Sequence, residues 1–165
     1  MESLPERKHP RLKGFDYSHG WYFVTICTAG KERILGRVCV GRGDHTPPCV
    51  ELSATGRVVE KYIHGINAAY QNVITDKYVI MPNHVHLIVA IEPAASGGVW
   101  SPRPTNLLTV IRSFKTMVTK ELGYSIWQTS YYDHIIRNEA DYLRVRQYIG
   151  ENPARWAEDD YYQPE

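Results

Sequence analysis

The 165-residue chain is poor in cysteine, and the three it has, Cys27, Cys39 and Cys49, form no CxxC pair. An odd, scattered set argues against a disulfide framework, and it leaves no thiolate pair for a closed structural zinc site. No stretch approaches the roughly 18 apolar residues of a membrane span. No charged-then-apolar leader opens the chain either, so a reduced cytoplasmic setting without a membrane partner is expected. Internal repeats and low-complexity tracts are missing as well. An excess of one charge is missing too: 19 Lys and Arg against 18 Asp and Glu leave a net +1. The total therefore announces no nucleic-acid partner.

The composition that is present, 43% apolar and 22% charged, suits one compact globular domain. Charge is unevenly spread. Residues 1–42 hold eight Lys or Arg against four acids, and residues 103–155 hold eight against five. The last ten residues hold four acids and no base. Such local fields leave room for a basic groove on a nearly neutral protein. Twelve tyrosines and four tryptophans would serve as platforms for unpaired bases, although strand packing also uses aromatic rings. The chain divides into a basic arm (1–20), a single domain (21–157) and an acidic tail (158–165).

Hydrophobic period gives the elements. Trp21 to Thr28 is aromatic and β-branched and reads as a first strand. Residues 36–48 read as a loop or short hairpin. A helix is expected over 53–70, with Val58, Val59, Tyr62, Ile63 and Ile66 near helical spacing. Residues 72–81 and 84–91 form an antiparallel hairpin about Pro82-Asn83. Thr105 caps a helix to Leu122 whose inner stripe includes Leu108, Ile111, Val118 and Leu122. An extended segment spans 126–136, and Asn138 caps a last helix from Glu139 to about Glu151, ended by Asn152-Pro153. The order predicts an α+β fold: a ferredoxin-like split βαβ antiparallel sheet with an additional C-terminal helix.

Two features go beyond packing. In His84-Val85-His86 on a strand, both imidazoles project from one face while Val85, Leu87, Val89 and Ile91 take the other. Two imidazoles side by side suit one divalent cation. Taken alone, the pattern also describes two surface histidines. The second feature is Tyr148 with Asn152, four residues apart and so on one face of the last helix. Tyr142, Val145 and Ile149 form a neighbouring apolar face, which leaves Tyr148 off the main stripe. Arg144 and Asp141 share its side. Alone, such a tyrosine is ordinary filler. Together the parts make chemical sense, because a phenol is a poor nucleophile near neutral pH and a cation on the scissile phosphate compensates. Oxygen-rich sites favour Mg²⁺, and imidazoles admit Mn²⁺ as well.

Met81-Pro82-Asn83-His84-Val85-His86-Leu87-Ile88-Val89 resembles the HUH signature of single-tyrosine transposases, and more specifically of the bacterial REP-associated tyrosine transposases. Tyr22 to Thr28 is similar to that family's first strand. Trp127-Gln128 through Tyr132 to Arg137 is similar to the segment before its catalytic helix, and Tyr148-Ile149-Gly150-Glu151-Asn152-Pro153 to its YIxxNP block. The resemblance runs from about Arg11 to Trp156. It implies Tyr148 as nucleophile, with His84, His86 and Asn152 as ligands of Mg²⁺ or Mn²⁺. It implies a single-strand DNA endonuclease and strand transferase that cuts at or near a hairpin through a 5′-phosphotyrosine intermediate, as a monomer or homodimer. Arg112, Lys115, Arg137 and Arg144 are candidate DNA phosphate ligands, each equally well read as part of a solvated face. His134 is a packing residue or a site neighbour. Where family members often carry a basic C-terminal extension, this chain ends in Glu158-Asp159-Asp160-Tyr161-Tyr162-Gln163-Pro164-Glu165. The rival readings are a non-catalytic hairpin DNA- or RNA-binding module derived from a transposase, and a metal-dependent hydrolase in which Tyr148 is structural.

Overall fold

The computed structural model describes residues 12–39, 46–93 and 105–164. In chain order these form β1 (Gly20–Cys27), β2 (Gly36–Cys39), β3 (Cys49–Leu52), α1 (Ala54–Ala69), β4 (Val73–Met81), β5 (His84–Ile91), α2 (Leu107–Leu122), β6 (Tyr132–Ile136) and α3 (Glu139–Glu151). Four strands make one antiparallel sheet in the order β4-β5-β1-β6, and β2 with β3 makes a separate hairpin. The four-stranded sheet with its crossover helices is the split βαβ arrangement expected from the sequence, with the β2–β3 hairpin inserted before α1.

The sheet is covered on both faces. Val85, Leu87, Val89 and Ile91 of β5 join Tyr22, Val24 and Ile26 of β1 in the larger core, which α1 and α2 close with Val59, Ile63, Val110, Ile111, Phe114 and Val118. The opposite face carries a smaller cluster of Phe23, Ile88, Val145 and Ile149, formed as α3 packs down. Burying each of those aliphatic side chains contributes about 1.5–3 kcal/mol. All eight residues of β5 are buried, as expected of a central strand covered on both sides.

Each helix starts on a polar cap. Ser53 Oγ accepts from Gly56 N at 3.0 Å and donates to Ile34 O at 2.6 Å. The Asn138 side chain accepts from Asp141 N at 2.9 Å. For α2 the cap is Asn106, whose Oδ1 accepts from Thr109 N at 2.9 Å, and not the Thr105 expected from the sequence. Both residue types cap well, and Asn ranks above Thr at this position. The buried stripe of α2 is Leu107, Val110, Ile111, Phe114 and Val118, while Leu108 and Leu122 are only partly covered. The helix ends on Gly123 at φ 82°, a left-handed cap suited to glycine.

The extended segment expected over 126–136 is shorter than its composition suggests. Trp127 makes one bridge to Thr28, and pairing with β1 begins only at Tyr132. Residues 1–11 of the expected arm and most of the loop after β5 lie outside the described residues. No helix among the described residues is long and apolar enough to cross a membrane.

Candidate metal and nucleophile site

Strand alternation turns His84, His86 and Ile88 of β5 toward α3, and register places Cys27 opposite His84 and Thr25 opposite His86. Both histidines are fully buried. Their Nε2 atoms lie 3.0 Å apart. The outer nitrogens are held from behind: His84 Nδ1 donates to Asn83 Oδ1 at 2.8 Å, and His86 Nδ1 lies 2.8 Å from Thr25 Oγ1. An amide oxygen only accepts, so His84 carries its proton on Nδ1 and keeps the Nε2 lone pair. Burial pushes the His84 pKa down to about 3, helped by the Lys31 charge and opposed by Asn152. Burial and then His84 hold His86 well below the usual imidazole value. Two neutral imidazoles converge on one point, with partners behind them that orient the rings.

The other groups come from the C-terminal part of the chain. Val145 and Ile149 anchor α3, which sets the Tyr148 ring 5.3 Å from the His86 ring and 6.0 Å from Phe23. Tyr148 is thus half-buried against the small cluster rather than clear of it. Its phenol pKa is raised by burial first and then by the Asp159 charge, with Asn152 pulling the other way. One turn on, Asn152 is buried; its Nδ2 donates to Asp159 Oδ2 at 3.0 Å, while its Oδ1 is buried with no hydrogen-bond partner. Asp159 Oδ2 lies 3.9 Å from His84 Nε2, and the donor atoms of His84, His86 and Asp159 all lie within 4.8 Å of one another. Burial raises the Asp159 pKa, against the Tyr161 backbone N–H and Asn152.

A short 3-10 turn, Trp156–Glu158, brings the chain end back over the histidines. The Tyr161 ring lies tilted at 38° with its centroid 4.6 Å from that of His84, its carbonyl accepts from Asn83 Nδ2 at 2.9 Å, and Lys31 lies 5.3 Å from its centroid. Trp156 lies 5.9 Å from His84, and Arg33 packs against both Trp156 and Tyr162.

The donor set fits a divalent cation: two neutral imidazole nitrogens, an unpartnered buried amide oxygen and a carboxylate. An orphan buried acceptor costs about 1–3 kcal/mol, and a cation beside Asn152 Oδ1 would remove that cost.

Tyr148, His84, His86 and Asn152, named from the sequence, thus stand together. Arg112 and Lys115 do not join them. They lie on α2, on the other side of the sheet, and with Lys120, Trp127 and Tyr131 line a groove of roughly 610 Å³. Lys115 Nζ there donates to Gln128 O and Thr129 O. Arg144 is engaged with Asp141 Oδ1 at 2.7 Å, whose other oxygen meets His134 Nε2 at 2.8 Å, and Arg137 is exposed beside them. Four neighbours went unnamed. Thr25 was findable from β1 alternation and Asn83 from its adjacency to His84; Asp159 and Tyr161 carry no periodic signal.

No protein-family model matches the chain. An uncharacterised protein of Haemophilus influenzae is 34% identical over 177 aligned residues, which span 96% of this chain and 94% of that one. The chain belongs to that protein's family. Among solved structures, a REP-associated tyrosine transposase bound to a REP hairpin is similar with a TM-score of 0.58 at 20% identity, covering 93% of this chain and 74% of that one. The fold is therefore that of a REP-associated tyrosine transposase, as the sequence resemblance implied.

Proposed function

We propose that the protein is a single-strand DNA endonuclease and strand transferase that cuts at or near a hairpin with Tyr148. One observation carries this reading: the Tyr148 ring lies 5.3 Å from His86, and one helical turn on Asn152 keeps a buried oxygen without a hydrogen-bond partner. His84, His86 and Asn152 would hold the cation, Mg²⁺ or Mn²⁺, with Asp159 beside them. Bound there, it would polarise the scissile phosphate and stabilise the charge that develops on it. The chain's own groups do the rest. Asn83 and Thr25 fix the imidazole orientations from behind. Phe23 and Ile149 keep the phenol side dry, and the α3 turn holds Tyr148 and Asn152 on one face. Tyr148 Oη attacks phosphorus, the bond to the 3′ oxygen breaks, and the products are a 5′-phosphotyrosine and a free 3′-hydroxyl. That hydroxyl can attack the same linkage to rejoin strands. The basic groove with Arg112 and Lys115, and the exposed Arg137 and Arg144, supply phosphate contacts; the REP hairpin bound by the similar structure is the first DNA to try.

The binding-module reading has one observation in its favour, the complete burial of both imidazoles under the 156–162 segment. A labelled hairpin oligonucleotide with Mg²⁺ or Mn²⁺ separates the two readings. Cleavage through Tyr148 leaves a protein–DNA adduct that survives a denaturing gel, and Tyr148→Phe abolishes it while retaining binding. An adduct that persists in Tyr148→Phe defeats the nucleophile assignment. Hairpin binding with no adduct for any metal leaves the binding module.

A further inference from the structure

Outside the site, the β2–β3 hairpin brings together two residues that sequence spacing kept apart. Its antiparallel register sets Cys39 directly opposite Cys49. Opposed residues of such a pair have Cα atoms about 4.5–5.5 Å apart, inside the roughly 4.4–6.8 Å that a disulfide spans. Alternation puts Arg37, Cys39, Cys49 and Glu51 on one face of the hairpin. The ion pair between Arg37 and Glu51, at 2.6 Å, clamps the register two residues away. Cys39 Sγ lies 3.6 Å from Glu51 Oε2 on the same face. On the opposite face Leu52 packs against the core, so the thiols cannot turn inward. All three cysteines are free, Cys49 is exposed and Cys39 is half-buried, whereas Cys27 is buried on β1.

We propose that Cys39 and Cys49 are a reversible cross-strand dithiol–disulfide couple that reacts with hydroperoxides. In the first step one thiolate sulfur attacks the peroxide O–O bond. That sulfur is oxidised to a sulfenic acid, and the peroxide is reduced to water or an alcohol. The second thiol then attacks the sulfenic sulfur, an S–S bond forms, and the S–OH oxygen leaves as water. Two electrons pass from the sulfur pair to the peroxide, and a dithiol reductant reverses the change. In a reducing compartment such a bond is transient and responsive rather than structural. The closed ring would pin the loop end of the hairpin, opposite the Gly36–Leu52 pair at its base. That hairpin continues directly from the run in which Lys31 and Arg33 hold the C-terminal segment over the histidines. The couple is independent of the proposed cleavage chemistry.

The test uses the full reduced chain and stoichiometric hydrogen peroxide, read by intact mass, thiol titration and non-reducing peptide mapping. The expected result is the loss of two hydrogens, a fall in titratable thiols from three to one, and a peptide linking Cys39 to Cys49. Dithiothreitol should restore the starting mass. Of Cys39→Ser and Cys49→Ser, the one that keeps the attacking sulfur should stop at a sulfenic acid that dimedone traps. A peroxide-independent check is phenylarsine oxide, which bridges two close thiols: one probe should bind per reduced chain, and none in Cys39→Ser or Cys49→Ser. Intermolecular dimers, a link through Cys27, or a sulfinic acid at Cys39 with Cys49 still free would each overturn the proposal. So would arsenical binding that survives either serine substitution.

Discussion

Thr25→Val tests the candidate metal site without touching a proposed ligand. Thr25 is almost fully buried, and its Oγ1 is the partner of His86 Nδ1 at 2.8 Å. Valine keeps the volume and removes the hydroxyl. Two separate losses follow. A buried ring nitrogen left without its partner costs about 1–3 kcal/mol, which for a chain of this size lowers the metal-free Tm by about 2–4 °C per kcal/mol. The ring also loses the contact that aims Nε2, and partners of this kind change metal affinity by roughly 10–100-fold, or about 1.4–2.7 kcal/mol. Thermal melts at stepped Mn²⁺ concentrations separate the two, the first as a drop without metal and the second as a shift of the half-effect concentration. Thr25→Ser should recover most of the second. If Thr25→Val lowers the metal-free Tm yet leaves the Mn²⁺ dependence unchanged, His86 is not held for a cation and the reasoning fails.

Gly56→Ala should destabilise by about 1–3 kcal/mol in urea unfolding, even though alanine favours helix by about 1 kcal/mol. The new Cβ would meet Leu35 O at 2.0 Å, and the Leu35 backbone is tied to both Pro82 and Ser53. Burial alone would raise the Asp141 pKa, but Arg144 and His134 outweigh it and hold it down. A depressed folded-state pKa gives stability that is present above the ordinary carboxylate value and is lost as pH falls through the folded one. Asp141→Asn should therefore melt below the parent protein at neutral pH, and the gap should close on acidification. Lys115→Ala should reduce the salt slope of hairpin binding by about 0.7–0.9; an unchanged slope would remove the α2 groove from the DNA path.

Much of this architecture is legible in the sequence because it rests on short periods. The alternation from His84 to Ile91 set two imidazoles on one face and four aliphatic residues on the other, and β5 follows it. The interval between Tyr148 and Asn152 is one helical turn wherever α3 packs. The start of α2 was one residue off because Thr105 and Asn106 are both good caps and only the packed helix chooses between them. Residues 126–131 have strand composition, yet Thr28, just past the end of β1, offers them one bridge before full pairing begins at Tyr132. Asp159 was the larger omission. It belongs to a stretch that reads as solvated acid, and it reaches the histidines only because Trp156 and Tyr161 fold across them. Closure of that kind depends on the finished surface of the sheet, which has no counterpart in local spacing. The facing of Cys39 and Cys49 likewise needs a hairpin register rather than a motif.

The candidate site is assembled from two unlike pieces of chain. Its imidazoles are rungs on a buried central strand, whereas the phenol, amide and carboxylate all arrive on one unbroken run, residues 148–161. Any displacement of that run would carry the phenol, the amide and the carboxylate together relative to the imidazoles, which stay fixed in the sheet.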